Sequence, residues 1–195
     1  MHLTRPLVLA SNSPRRQQLL REAGFDFRIE VRPTDERIPD GMPTAEVPGY
    51  LARHKAEQFT ADSGDELILC ADTIVVLDED ILNKPADADE AAAMLRRLSG
   101  RAHQVMTGVC LLTRERNEAL FQTVTDLASV AFRSLTEREI QYYIDHYRPF
   151  DKAGAYGIQE WIGMVGIERI DGSFYTIMGL PVHRVYELLK PYAKP

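Results

Sequence analysis

From Leu67 to Leu77 the sequence reads Leu-Ile-Leu-Cys-Ala-Asp-Thr-Ile-Val-Val-Leu, an apolar run broken only by Asp72-Thr73. The pieces on either side are strand-length, far short of the ~20 apolar residues that a membrane helix needs. Such a run reads as a strand buried on both faces, which obliges the rest of the chain to cover it. Further strands are expected at Leu7–Ala10, Phe27–Val31, Gln104–Thr113 and Leu120–Phe132, with turns at Asp78-Glu79-Asp80 (returning through Ile81-Leu82) and Arg116-Asn117-Glu118. Asp171-Gly172 is a hairpin signal.

Helices fall between these strands. Ser13-Pro14 has an N-cap residue followed by proline at the first helical position. Leu19, Leu20 and Ala23 supply an apolar face, and Gly24 supplies the stop. A helix is expected from about Pro48 to Phe59, ending before Asp62-Ser63-Gly64. The pairs Asp87/Glu90 and Thr136/Glu139 are capping-box patterns ahead of Ala91–Leu98 and Ile140–Tyr147, with Gly100 closing the first, and a last helix is expected over Val182–Tyr192. Strands and helices mix without strict alternation, which predicts an α/β fold with a mixed β-sheet flanked by helices.

Composition narrows the function. A chain of 195 residues can bury one substantial core or two small lobes. Its formal net charge is −6, whereas a nonspecific nucleic-acid binder is usually basic, so neither nucleic acid nor membrane is an expected partner. Cys70 and Cys110 are the only cysteines and sit in apolar segments, so no disulfide framework or zinc spacing arises. Met1-His2-Leu3-Thr4-Arg5-Pro6 has no apolar stretch of the secretory kind, and a cytoplasmic protein is expected.

Four places carry chemistry. Ser11-Asn12-Ser13-Pro14-Arg15-Arg16 lies between a strand and a helix N-terminus, where free N–H groups and the helix dipole favour an anion. Two arginines in a first turn oppose that dipole, which a bound phosphate would explain; a solvated Ser-Pro helix start is the plain alternative. Asp72 is a carboxylate inside an apolar strand and needs a cation, a metal or a proton, unless it marks a strand break turned to solvent. Lys55 lies at i, i+4, i+8 spacing with Leu51 and Phe59, close to an apolar stripe; taken alone, snorkelling past the core is the plainer explanation. Asp151-Lys152-Ala153-Gly154-Ala155-Tyr156-Gly157-Ile158-Gln159 offers close backbone approach with Tyr and Gln for stacking and hydrogen bonding, or is a tight loop before the next strand. No P-loop or dinucleotide-binding glycine motif exists, and the five histidines show no metal-ligand pairing.

Taken in order, Ser11–Arg16, Ala71-Asp72-Thr73, Lys84-Pro85, Leu98-Ser99-Gly100-Arg101-Ala102-His103, Asp151–Gln159, Gly172-Ser173-Phe174-Tyr175 and Gly179-Leu180-Pro181 resemble the motifs of the Maf family over essentially the whole chain. Cys70 and Asn83 stand where that family commonly has Gly. The resemblance implies one domain over 1–195, two-lobed with a central cleft and similar to inosine triphosphate pyrophosphatases. It also implies a house-cleaning nucleotide pyrophosphatase acting with Mg²⁺ or Mn²⁺. The Asp151–Gln159 sequence is similar to the dTTP/UTP branch and unlike the 7-methyl-GTP branch. By position, Asp72 corresponds to the proton acceptor, Arg15, Thr73 and Gln159 to specificity positions, and Glu36, Lys55 and Lys84 to other polar residues of the cleft. Ser11, Arg16 and Lys152 join the expected phosphate contacts, and Glu36 with Asp72 the expected metal ligands. A purine-directed triphosphatase and a nucleotide-binding regulator of septum formation are the competing readings, with a homodimer one assembly open to any of them.

Overall fold

The computed structural model describes residues 2–116 and 118–194. Strand β3 (Leu67–Leu77) is buried along its length except at Asp72 and Thr73, as an apolar run with one polar interruption requires. Strand β1 (Leu7–Leu9) lies parallel to it, pairing Leu7 with Leu67, Val8 with Ile68 and Leu9 with Leu69. Strand β2 (Arg28–Ile29) is parallel to β1, and β4 (Asp80–Leu82) folds back antiparallel on the far end of β3. With β5 (Ala102–Glu115), β6 (Glu118–Phe132) and β7 (Ile167–Asp171), the described residues form an open seven-stranded mixed sheet in the order β2-β1-β3-β5-β6-β7, β4 pairing with β3.

Seven α-helices flank the sheet among the described residues: α1 (Pro14–Glu22), α2 (Val47–Glu57), α3 (Ala88–Leu98), α4 (Glu137–Tyr147), α5 (Trp161–Gly166), α6 (Phe174–Met178) and α7 (Val182–Leu189). No helix among those residues is long and apolar enough to cross a membrane. The chain divides into two compact units. One comprises the chain up to Asp72, Thr107–Asp126 and Gly179 onward; the other comprises Thr73–Met106 and Leu127–Met178.

In the first unit Val8, Ala52, Ala56, Phe59, Ile68, Cys70, Cys110 and Leu112 form one apolar cluster, the thiols buried and unpaired. Ser13 caps α1 by accepting from the Arg16 N–H, and Gly24 follows the helix with φ +79°. Helix α2 rests directly on β5. A Cβ on Gly108 would lie 2.2 Å from the carbonyl carbon of Pro48 and 2.4 Å from the nitrogen of Gly49, so only glycine admits this approach. That contact seats the first turn of α2 and thereby places Lys55 further along it.

In the second unit α4 carries a complete capping box between Thr136 and Glu139. The expected box at α3 is only half formed. Asp87 accepts from the Glu90 N–H, but the Glu90 carboxylate accepts from Ala86, one residue upstream of the cap.

Several boundaries differ from expectation. Strand β2 has two residues, both exposed, because only β1 supports it. Asp171-Gly172 is not a hairpin: β7 ends at Asp171 and the chain enters α6 after Ser173. Gly172 takes φ +117°, and a Cβ there would lie 2.8 Å from the Ala128 α-carbon, so its glycine serves a close approach to β6. The last helix stops at Leu189 and tightens into a 3₁₀ turn, Lys190–Tyr192, around Pro191. Asn117, in the turn expected between β5 and β6, lies outside the described residues.

Candidate active site

The first unit gathers six of the expected residues: Ser11, Arg15, Arg16, Glu36, Lys55 and Asp72. Asp72 sits within β3, at the point where the apolar run is interrupted, with its side chain 15% exposed. Lys55 of α2 donates to Asp72 Oδ1 at 2.5 Å and lies 2.8 Å from Glu36 Oε1, so one ammonium bridges two carboxylates. Glu36 comes from the irregular segment between β2 and α2 and is half exposed, and Lys55 is largely buried. This resolves the ambiguity of Lys55: its stem crosses apolar surface, and its head meets Asp72 rather than bulk water.

Ser11 is buried after β1 and accepts from the Ser13 N–H at 3.2 Å and from Arg16 Nη1 at 3.3 Å. Arg16 Nε donates to the Gly179 carbonyl at 2.8 Å, tying the Ser-Pro-Arg-Arg turn to the Gly179-Leu180-Pro181 segment. Burial lowers the Arg16 pKa from its ordinary value. Asp72 opposes that shift, Arg15 adds to it, and Glu36 opposes it again. Those couplings bring Arg15 and Arg16 into the field of the Lys55 cluster. A guanidinium is effectively always charged in a protein at neutral pH. Three cations therefore face two carboxylates here, a local positive balance within a chain of net charge −6.

The second unit holds Thr73, Lys84, Lys152 and Gln159. Thr73 is half-buried in β3, and Lys84 is exposed just after β4. The carbonyl of Asn83 accepts from the Gly154 N–H at 3.2 Å, which anchors the residue before Lys84 to the Asp151–Gln159 loop. Gly154 and Ala155 both have positive φ, and a Gly154 Cβ would meet the Val75 side chain at 3.0 Å. Gln159 is exposed. Lys152 is buried, and its ammonium lies 2.6 Å from Asp151 Oδ1 and 3.1 Å from Glu160 Oε1, so within this loop it already serves two carboxylates.

Glu160 and Tyr143 carry no functional signal in the sequence. Tyr143 reads as core on α4, and Glu160 reads as a polar helix start. Only the tertiary pairing shows the Tyr143 hydroxyl donating to Glu160 Oε2 while accepting from the Gly157 N–H at 2.9 Å. Burial, helped by Glu160, pushes the Tyr143 phenol well above its ordinary range, so it stays protonated. No group of three or more His, Cys, Asp or Glu side chains suited to a metal occurs among the described residues.

His103, from the Leu98–His103 motif, is buried against Phe132 and hydrogen-bonded through Nε2 to the Tyr156 hydroxyl at 2.7 Å. Burial lowers its pKa from 6.5 to about 4. Because the folded value lies below the unfolded one, the neutral ring favours folding fully above pH 6.5, and that contribution is lost as pH falls toward 4. Stability is expected to drop by about 3 kcal/mol over this window from His103 alone. Urea unfolding at pH 7 and pH 4.5 should show a shallower loss in His103→Gln than in wild type; equal losses would contradict the assignment.

An arginine-bearing helix start beside a carboxylate–ammonium bridge in an α/β fold is an arrangement chemically able to hold an anionic group. The sequence profile of the Maf family, described as Maf-like protein, matches residues 6–192, and the chain belongs to that family. It is 48% identical over 189 residues to a dTTP/UTP pyrophosphatase of Cytophaga hutchinsonii, covering 97% of this chain and 85% of that one. Proteins of the same name from Bacteroides fragilis (50% identity, 94% of each chain) and Porphyromonas gingivalis (47%, covering 96% of this chain and 94% of that one) are comparably similar.

Proposed function

We propose that this chain, over its whole length of 1–195, is a nucleoside triphosphate pyrophosphatase that hydrolyses dTTP and UTP to the monophosphate and pyrophosphate. The observation that carries the reading is the Glu36–Lys55–Asp72 bridge beside Ser11, Arg15 and Arg16, in a chain whose relatives at 47–50% identity bear that name.

In this reading water attacks the α-phosphorus and pyrophosphate leaves. Asp72 orients the water and takes its proton, a role that suits a carboxylate held at one end by Lys55. Lys55 keeps both Asp72 and Glu36 from standing as uncompensated charge and holds them together before substrate arrives. Arg15 and Arg16 stabilise charge on the phosphates, with Ser11 fixing the Arg16 guanidinium through Nη1. Lys84 is assigned to the phosphates by its match to the family's Lys-Pro motif, and Lys152 to the frame of the base-reading loop as well as to substrate. Thr73, Arg15 and Gln159 select the base.

Nucleotide pyrophosphatases generally depend on a divalent cation, and the donor set here fits Mg²⁺ or Mn²⁺. These hard ions take oxygen ligands and are usually held by one or two carboxylates together with substrate phosphates, rather than by a full protein cage. Glu36 and Asp72 would hold the ion, which when bound withdraws charge from the phosphate oxygens.

Pyrophosphate release from dTTP, UTP, CTP, dATP and ITP, with Mg²⁺ or Mn²⁺ and with excess EDTA, tests the whole reading. The expected result is turnover of dTTP and UTP well above the others, abolished by EDTA and restored by either cation. A preference for ITP would favour a purine-directed enzyme. Absence of pyrophosphate release from every substrate would refute the reading.

A further inference from the structure

The Asp151–Gln159 loop is closed on itself by charge. Lys152 stands at its start and Glu160 just past its end, and their side chains, both largely buried, meet at 3.1 Å. Tyr143 of α4, itself fully buried, hangs the closed loop on that helix by a single hydroxyl, which accepts from the Gly157 N–H at 2.9 Å and donates to Glu160 Oε2. The ring that carries the hydroxyl stacks on Tyr147 with centroids 5.1 Å apart, so α4 sets its place. Gly157 and Glu160 are the two ends of a tight turn, closed by the Glu160 N–H donating to the Gly157 carbonyl at 3.0 Å. The backbone between them is confined as well. Ile158 is buried, and a Cβ on Gly163 would lie 1.8 Å from the Ile158 carbonyl oxygen, so α5 abuts the turn where only glycine admits it. Gln159 is the exposed residue of this turn, with a fixed neighbour on either side.

We infer that Tyr143 is a positioning residue for nucleotide binding: its hydroxyl, tied to both ends of the Gly157–Glu160 turn, holds the backbone from which Gln159 meets the base. The inference rests on the reading above, in which Gln159 contacts the base, and it acts through main-chain atoms. A side chain reaches one place reproducibly only when its α-carbon is fixed, and a backbone ordered before the ligand arrives removes an entropic cost from binding. Without the hydroxyl, the buried Gly157 N–H loses its acceptor and Glu160 Oε2 loses its donor. Unpaired buried polar groups are unfavourable, so the turn relieves them by opening toward water. The Lys152–Glu160 pair then holds the loop ends alone, and Gln159 samples more than one position.

Tyr143→Phe tests this, since it removes the hydroxyl and keeps the ring. Amide hydrogen exchange over residues 153–162 and steady-state kcat and KM for dTTP would be measured on wild type, Tyr143→Phe, Gln159→Ala and the double variant. Exchange in that segment is expected to quicken at least about tenfold in Tyr143→Phe, with the strands keeping wild-type protection. KM for dTTP should rise about tenfold while kcat stays within about threefold. In the Gln159→Ala background the same substitution should move KM less than about twofold. A merely structural defect would quicken exchange throughout, lower kcat and act equally in both backgrounds, and that result would overturn the inference. Unchanged exchange in the segment, or a wild-type KM beside a raised KM in Gln159→Ala, would each overturn the role of Tyr143 and leave that of Gln159 standing. An unchanged KM in Gln159→Ala would remove Gln159 from the base, and the inference with it. If Tyr143→Phe does not fold, Glu160→Gln loosens the same turn at its other end and is read by the same outcomes.

Discussion

Asp72→Asn is expected to fold as the wild type does and to lose about 10²–10⁴-fold of its turnover of dTTP. The amide matches the carboxylate in size, and its carbonyl can still accept from Lys55, which today donates to Oδ1. Lys55 also keeps Glu36 as a counter-charge 2.8 Å away, so the substitution strands no ammonium in the interior. What disappears is the ability to take a proton from water. The effect should fall on kcat more than on KM, because phosphate contacts through Arg15 and Arg16 do not pass through Asp72. Circular dichroism and a urea midpoint near the wild-type value would establish the fold, and pyrophosphate release would give the rate. Near-wild-type turnover in a folded Asp72→Asn protein would remove Asp72 from the chemistry.

Lys55→Met reverses the pattern by leaving two carboxylates without their shared cation. The thioether side chain preserves the apolar packing of the stem along α2, so the loss isolates the ammonium. Breaking a fully buried pair costs about 3–5 kcal/mol. Asp72 is partly hydrated and Glu36 is half exposed, so the cost expected here is smaller, about 1–3 kcal/mol. Turnover should fall about 10²–10³-fold, since the cation that holds Asp72 in place as the base is lost. Adding Asp72→Asn to Lys55→Met should recover part of the stability and none of the activity. That non-additivity is the mark of a coupled pair, and a double-mutant cycle in urea reads it directly. Additive losses would mean that the two side chains are not coupled in solution.

Much of this protein can be read without coordinates. The polar break in Leu67–Leu77 identifies a buried strand and singles out Asp72 as a carboxylate that needs a partner, because desolvating a charge is costly wherever the run is placed. Ser13, Thr136, Gly24 and the Leu19-Leu20 face act locally, and each appears where short-range hydrogen bonding and helix periodicity put it. What local rules cannot supply is partnership across distance. Spacing alone favoured snorkelling for Lys55, and only the seating of α2 on Gly108 brings its ammonium to Asp72 and Glu36. Asp171-Gly172 carries a turn signal, yet the use of that glycine was decided by Ala128 on another strand. The fixing of Glu160 has no signature in the sequence, because the Lys152 ammonium and the Tyr143 hydroxyl that hold its carboxylate meet it only in space. The sequence by itself determined the longer strands and helices, the largely buried carboxylate and the family, all of which follow from local propensity, burial cost and motif order. The tertiary structure decided which charges compensate one another, because that depends on distances of a few ångströms between segments far apart along the chain.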